Sequence, residues 1–247
     1  DAEVYRQKAA EELCTDFDTG ASTVRDYLLG EASLDQVLPF VKEWRKNSSG
    51  YYGGKNDRLE ILRDLPDQAQ LYRRGLVMEG LLMHGAFFRH YMFDLDSAGI
   101  RRGLNAEEIG KILDILGEEQ LPVSYQLDTL ACIHESCSSK SQEDFQKECV
   151  KVLENRIKQW GEAYKKSAIN GAAMTRIFCM LAMDLHGQEY KEALLSCASD
   201  SSKQVRQILL GIYENHREWE PEIKEMLASK KQKERQMAIL VLKQWGA

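Results

Sequence analysis

The chain has 247 residues, of which 43% are hydrophobic and 29% are charged, and its formal net charge is −6. This hydrophobic content supports a packed core and excludes a mainly disordered protein, and the negative charge argues against a surface devoted to phosphate backbones. No segment reaches the roughly 20 predominantly apolar residues of a transmembrane helix, so the sequence predicts a soluble chain that makes no membrane contact.

Long stretches without helix breakers predict an all-α fold. The chain has four prolines, far below the usual frequency of about 5%, and apolar residues recur at helical spacing. In chain order, the predicted helices cover residues 2–13, 24–29, 34–44, 59–63, 69–93, 106–116, 124–137, 142–160, 170–185, 189–198, 202–216, 222–227 and 231–245. Turn-rich residues 47–54 predict an exposed loop.

A capping residue followed six positions later by an arginine occurs three times near the end of the chain. The three copies begin at Asn170, Asp200 and Ser229, and their arginines are Arg176, Arg206 and Arg235. The arginines are 30 and 29 residues apart. The same offsets align three apolar registers: Phe178, Cys179 and Ala182; Ile208, Leu209 and Ile212; and Met237, Ala238 and Val241. Similar units at this period imply stacked helical hairpins.

Residues 200–206 resemble the turn between the two helices of a HEAT repeat, in which an Asp and an Arg six positions later bracket the turn. Asp200 and Arg206 match this pattern, whereas Asn170 and Ser229 keep only the capping role. The resemblance implies a right-handed α-α superhelix, a HEAT/ARM-like solenoid. We expect repeats over residues 161–247 and irregular helices over residues 1–160, joined into one continuous solenoid.

A second resemblance rests on residues 226–231, 234–235 and 241–245. This part of the chain is similar to the repeat region of large bacterial proteins of the molybdate-metabolism-regulator-like class. The resemblance implies a cytoplasmic bacterial protein of which this chain is one part, and it carries no catalytic residue and no cofactor.

The lysines of the repeat turns are the candidate partner-binding residues: Lys203, Lys230, Lys231 and Lys233. Such a basic edge attracts an acidic peptide or phosphate through its summed field, but lysines also occur in turns simply because turns are solvated. The three arginines have the same two interpretations. They either form a ladder for an acidic partner or donate to neighbouring turn carbonyls and carboxylates.

Residues 94–105 begin like a calcium-binding EF-hand loop, with oxygen ligands at positions one and three. Position five is Ala98 and position twelve is Asn105, where coordination requires a bidentate Glu. We therefore expect a polar turn in which Asn105 and Glu108 form a capping box at the start of the next helix.

No other metal site or catalytic motif emerges. His84 and His90 are six residues apart, and Cys132 and Cys137 are five apart, so neither pair converges on one helix face as zinc ligands must. A nucleophilic Cys132 or Cys179 lacks an orienting group nearby in the sequence. The six scattered cysteines, which lack CxxC spacing, predict reduced thiols in an intracellular protein.

These patterns predict a non-catalytic protein-interaction scaffold without a cofactor. Its partner is another protein or other domains of the same polypeptide, and the acidic balance argues against nucleic acid. The alternative is an enzyme that resembles the HEAT-like alkylpurine DNA glycosylases, which combine aromatic residues with a carboxylate. Trp160, Trp219 and Glu220 are the counterparts in this sequence.

Overall fold

The computed structural model describes residues 2–14, 19–47, 70–82, 104–137 and 139–246. These residues form helices and turns, without a strand among them, which confirms the all-α prediction. The predicted helix over 59–63 lies outside the described residues, as do residues 83–93 of the predicted helix over 69–93 and residues 94–103 of the EF-hand-like stretch 94–105. Of the predicted loop over 47–54, only Asn47 is described, and it is helical. His84 and His90 also lie outside the described residues. Within the described ranges, no helix is long and apolar enough to cross a bilayer.

The chain divides into two compact units, Asp1–Phe145 and Gln146–Ala247. The helices of the first unit are α1 (Ala2–Leu13), α2 (Ala21–Leu29), α3 (Leu34–Asn47), α4 (Gln70–Leu82), α5 (Ala106–Glu118) and α6 (Val123–Ser136), and the division falls within α7 (Ser139–Glu154). Helix α4 contacts α1, α2, α3, α5 and α6. Its residues Leu76, Val77 and Leu81 are fully buried, so α4 forms the centre of this unit.

Helix α5 begins as the sequence predicts. The backbone N–H of Glu108 donates to the Asn105 side chain at 2.9 Å, and the backbone N–H of Asn105 donates to the Glu108 carboxylate at 2.8 Å. This reciprocal capping box satisfies two N–H groups that have no partner inside the helix, and it confirms the predicted helix start.

After α7, the second unit consists of six helices and two 3-10 turns among the described residues. It contains α8 (Ile157–Asn170), α9 (Ala173–Asp184), α10 (Gly187–Ser196), α11 (Lys203–Asn215), α12 (Glu220–Glu225) and α13 (Gln232–Trp245), with 3-10 turns at Arg217–Trp219 and Met226–Ala228. Helix α9 contacts α8, α10 and α11, and α13 contacts α11 and α12. Thus α9, α11 and α13, the helices that carry the aligned registers, touch in series.

The aligned apolar registers supply the core of this unit. Eight of their nine residues are buried: Phe178, Cys179, Ala182, Leu209, Ile212, Met237, Ala238 and Val241. Ile208 is half-buried. Each helix therefore turns the same face of its repeat toward the core.

The predicted continuous helix over 142–160 is wrong, because a turn at Asn155 and Arg156 separates α7 from α8. The Asn155 side-chain amide donates to the Lys151 carbonyl at 3.2 Å. This bond competes with the helical N–H for the same acceptor, which is how asparagine ends helices. Gly161 then adopts a φ of 47° inside α8, a conformation that glycine accepts without steric cost.

Candidate functional site

Three turns precede α9, α11 and α13, and the arginine of each repeat closes its own turn. Arg176 Nη1 donates to the Gly171 carbonyl at 2.5 Å. Arg206 Nη1 donates to the Asp200 carbonyl at 2.6 Å, and Arg235 Nη1 donates to the Ser229 carbonyl at 2.6 Å. The Nη1 donor of each guanidinium is therefore used within its own turn.

Asp200 and Ser229 occupy equivalent places, but neither is the N-cap that the sequence predicts. The Asp200 carboxylate accepts the backbone N–H of Ser202 at 2.7 Å, and the Ser229 hydroxyl accepts the backbone N–H of Lys231 at 3.1 Å. Helix α11 begins at Lys203 and helix α13 at Gln232, so the N-caps are Ser202 and Lys231. The predicted residues shape the turn two positions ahead of the cap, as short polar side chains do in Asx and ST turns.

Asn170 does not start a helix either, because it is the last residue of α8. The turn into α9 is made by Gly171 and Ala172, and Ala172 provides no side-chain cap. A Cβ at position 171 would lie 2.7 Å from the Ser167 carbonyl oxygen. Close backbone approach at Gly171 therefore makes this turn, and the prediction of a cap at Asn170 is wrong.

Arg176 also reaches the next repeat. Its Nη2 donates to Asp200 Oδ1 at 3.0 Å, and its Nε lies 2.9 Å from Asp200 Oδ2. The side chains of Arg176 and Asp200 are only 13% and 9% exposed. The carboxylate in the HEAT-like turn thus pairs with the arginine of the preceding copy, whereas Arg206 binds the backbone carbonyl of Asp200.

Two of the four candidate lysines are engaged between turns. Lys231 Nζ lies 2.9 Å from Glu234 and donates to the Ser199 hydroxyl at 3.4 Å, and Lys233 Nζ donates to the Asp200 carbonyl at 3.4 Å. Hydrogen bonds from Lys231 and Ser229 lower the pKa of Glu234.

The other two lysines, Lys203 and Lys230, are exposed, and no described residue bonds their side chains. Lys203 and Lys230 are therefore the two lysines of this edge without a hydrogen bond to a described residue, while Lys231 and Lys233 contact the neighbouring turn.

The opposite ends of α9 and α11 meet at a histidine held between two carboxylates, the His216 cluster. His216 Nε2 lies 2.7 Å from Asp184 Oδ1, and Nδ1 lies 2.6 Å from Glu218 Oε1. The ring stacks on the fully buried Trp219, with centroids 4.0 Å apart and planes 4° apart. Both ring nitrogens are bound, so a protonated imidazole suits this position.

Electrostatics at the His216 cluster favour the charged histidine. Burial by itself lowers the pKa of His216, but hydrogen bonds with Glu218 and Asp184 outweigh it and raise the pKa above its ordinary value. The bond with His216 in turn lowers the pKa of Glu218. The cluster therefore joins α9 to the chain that follows α11 through a charge-assisted bridge.

Sequence reasoning did not single out His216. Asp184 lies 32 residues before it in the chain, so no local pattern links the two residues. The nearby Glu218 is an unremarkable acidic residue after a helix. The closeness of Gly187 to this ring is also visible only in the structure, where a Cβ at position 187 would lie 2.5 Å from His216 Cε1.

Each residue proposed as a counterpart of a glycosylase site has another neighbour in the structure. Trp219 is fully buried under His216, so its ring is not available to stack on an extruded base. Glu220 pairs with Lys224 at 2.6 Å. Trp160 is half-buried beside Tyr164, with ring centroids 6.2 Å apart.

In the portion of the chain that the structure describes, no group of His, Cys, Asp and Glu residues is arranged to hold a metal ion. All six cysteines lie in the described residues, and none of them forms a disulfide bond there. Burial raises the pKa of Cys137 to about 11, which leaves little nucleophilic thiolate at neutral pH. Cys179 is fully buried.

No family model matches this chain, and neither a curated protein nor a solved structure is detectably similar to it.

Proposed function

We propose that the second unit is a stack of HEAT-like hairpins and that the chain is a non-catalytic scaffold for protein–protein interaction. The observation that carries this proposal is the serial contact of α9, α11 and α13 in one register, together with the bond from Arg176 to Asp200 of the next copy. Repeats that bury their apolar faces only against neighbours give an elongated, rigid surface.

The resemblance to bacterial repeat proteins extends the proposal to the setting of the chain. We place it in the bacterial cytoplasm, as a part of a larger polypeptide, where its partner is a second protein or another domain of its own chain. The six described cysteines form no disulfide bond, which is compatible with a reducing compartment.

The binding edge in this proposal consists of Lys203 and Lys230. Both are exposed and unbonded by described residues, so their charges remain available to an acidic partner. Exposed charges act mainly on association and on specificity, and salt weakens them. A partner held here dissociates as ionic strength rises.

A quantitative pull-down from bacterial extract tests the scaffold function with the full chain. The double variant Lys203→Glu/Lys230→Glu should lose at least one partner about tenfold, the ratio that corresponds to 1.4 kcal/mol of binding free energy. Lys166→Glu is the matched control, because Lys166 is an exposed lysine on α8. Recovery of no protein above the bead control, or equal recovery with all three chains, refutes the proposal.

Duplex DNA provides the test of the enzymatic alternative. Phosphate contacts are strongest at low ionic strength, so a glycosylase-type protein should be retained on a DNA column there. We expect the full chain to pass through unretained, and salt-dependent retention would favour the nucleic-acid function instead.

A further inference from the structure

One row of residues along α11 is exposed although α11 has a copy of the repeat on each side. Gln207, Gly211 and Asn215 are spaced four residues apart, so they lie in one row along the helix. All three are exposed, while α9 and α13 both contact α11. The row therefore points away from the neighbouring copies, and its exposure does not depend on whether another copy follows.

The same row continues on the other two helices. The repeat offsets of 29 and 30 place its counterparts on α13 and α9: Gln236, Leu240 and Gln244, and Ile177, Leu181 and Leu185. The three α13 residues are exposed, whereas on α9 Ile177 is buried, Leu181 is half-buried and Leu185 is exposed. We call the exposed rows of α11 and α13, together with Leu181 and Leu185 of α9, the lateral face.

The lateral face contains no charged residue. The first helices of the hairpins, α8, α10 and α12, differ in this respect, because their exposed residues include Lys158, Glu162 and Glu189. These helices are also joined by ion pairs, from Lys158 to Glu189 at 3.5 Å and from Lys191 to Glu222. Charge is therefore concentrated on the first helices, and the lateral face presents amides and leucines.

Amide side chains surround an open centre on this face. Two amides flank the central residue of the row on each of α11 and α13: Gln207 and Asn215, and Gln236 and Gln244. No described residue hydrogen-bonds these four side chains. Nothing lies within 4 Å of a Cβ added to Gly211, so the backbone of α11 is open at its central position, whose counterparts on α9 and α13 are Leu181 and Leu240.

This chemistry complements the backbone of an extended peptide. A primary amide both donates and accepts, as the free N–H and C=O groups of an extended chain require. A charged side chain placed here would lose water without meeting an opposite charge. Packed helices lie about 8–10 Å apart, and three residues of a polyproline II segment rise about 9 Å. Equivalent positions of α9, α11 and α13 therefore match every third residue of such a segment.

We propose that the lateral face binds an extended, uncharged segment of a partner protein, which crosses α9, α11 and α13 with one apolar residue at each helix. The backbone of the segment bonds the amides of α11 and α13, and its apolar side chains contact Leu181, Gly211 and Leu240. This inference rests on the proposed scaffold function and names a second contact with the partner, apart from Lys203 and Lys230.

The probe is a labelled peptide of about nine residues, three turns of polyproline II, that repeats the unit Leu-Pro-Thr. Proline favours the extended conformation of the residue before it, and leucine recurs at every third position. One comparison peptide has glutamate in place of each threonine, and another is an uncharged helical peptide with a leucine stripe. Fluorescence anisotropy titrations with the full chain should give at least about tenfold tighter binding of the uncharged extended peptide than of either comparison peptide.

Gly211→Glu is the diagnostic variant, because the open space at Gly211 accepts a side chain without a clash. It should weaken binding of the extended peptide about tenfold, and Gly211→Gln, which adds the bulk without the charge, should weaken it as well. Ala163→Glu is the matched control, since Ala163 is an exposed residue of α8, and it should bind like the unaltered chain.

The inference is overturned by no binding of the extended peptide, by equal or tighter binding of a comparison peptide, or by the same loss in Ala163→Glu. Binding that both substitutions of Gly211 leave unchanged also overturns it. Dimerisation in sedimentation that Gly211→Glu removes assigns the face to a second copy and overturns it too. If only these tests fail while the Lys203/Lys230 pull-down succeeds, the scaffold function survives without this contact.

Discussion

Arg176 and Asp200 join two consecutive repeats through one carboxylate that does two things. Asp200 Oδ1 accepts from Arg176 Nη2 at 3.0 Å and from the backbone N–H of Ser202 at 2.7 Å. The side chain therefore fixes the start of α11 and the position of α11 against α9 at once. Both partners are largely shielded from solvent, so removing one of them leaves a shielded charge unpaired and costs more than breaking an exposed surface pair.

Asp200→Asn isolates the charge of this contact, because an amide oxygen still accepts from Ser202. We expect a loss of about 2 kcal/mol in the free energy of unfolding, the scale of a hydrogen bond to a charged group. Urea denaturation of Asp200→Asn, Arg176→Gln and the double variant measures the coupling. The double variant should lose much less than the sum of the two single losses, and strict additivity would contradict the proposed tie.

Two glycines in the second unit should respond oppositely to alanine. At Gly187 a new Cβ would lie 2.5 Å from His216 Cε1, and that ring is held by Trp219 and two carboxylates. We expect Gly187→Ala to destabilise the chain by about 1–3 kcal/mol through overpacking. At Gly211, an exposed site inside α11, nothing lies within 4 Å of the added Cβ.

Gly211→Ala should therefore stabilise the chain by roughly 0.5–1 kcal/mol, because alanine has the higher helix propensity. Thermal unfolding of both variants gives the comparison. Stabilisation by both substitutions would show that the packing around His216 is looser than described, and destabilisation by both would contradict the open space at Gly211.

The His216 cluster predicts a loss of stability at alkaline pH. The folded-state pKa of His216 is raised, so its contribution is complete below the ordinary histidine pKa and disappears as pH rises through the raised value. The lowered pKa of Glu218 has its effect at acidic pH, where stability falls as the pH drops through the lowered pKa. Lys191 adds positive charge near Glu218.

Urea midpoints between pH 6 and pH 9, with an NMR titration of the His216 ring, measure this decline. Glu218→Gln keeps a hydrogen-bonding group but removes one carboxylate, so the histidine should titrate at lower pH and the decline should start earlier. A stability that is flat across this range, or that rises toward pH 9, contradicts the bridge.

Local patterns in the sequence were enough to predict most of the described helices, apart from the break at Asn155, and the apolar registers. Periodicity predicted the burial of Leu209, Ile212 and Val241, and the capping box at Asn105 needed only residues three apart. The turn geometry was harder to predict, because the same residue types occur at the N-cap and two positions before it. The sequence therefore predicted Asp200 and Ser229 as N-caps, although they only shape the turn before the cap.

The inter-repeat contacts could not be read from the sequence. The bonds from Arg176 to Asp200 and from Asp184 to His216 join residues 24 and 32 positions apart. Many other charged residues along the chain are equally plausible partners for each of them.

Substitution by aspartate at two nearby positions of α13 separates its buried side from its exposed side. Val241 is fully buried, and Ile239, two residues away, is 56% exposed. Val241→Asp removes a buried aliphatic group, worth about 1.5–3 kcal/mol, and buries a carboxylate at a further cost of several kcal/mol. We expect a loss of at least about 4 kcal/mol and rapid hydrogen exchange across α11 and α13, with a similar result for Ile212→Asp. Ile239→Asp should change the unfolding midpoint little, since its side chain stays in water. Equal losses at positions 239 and 241 would refute the helical register of α13, and with it the alignment of the three repeats.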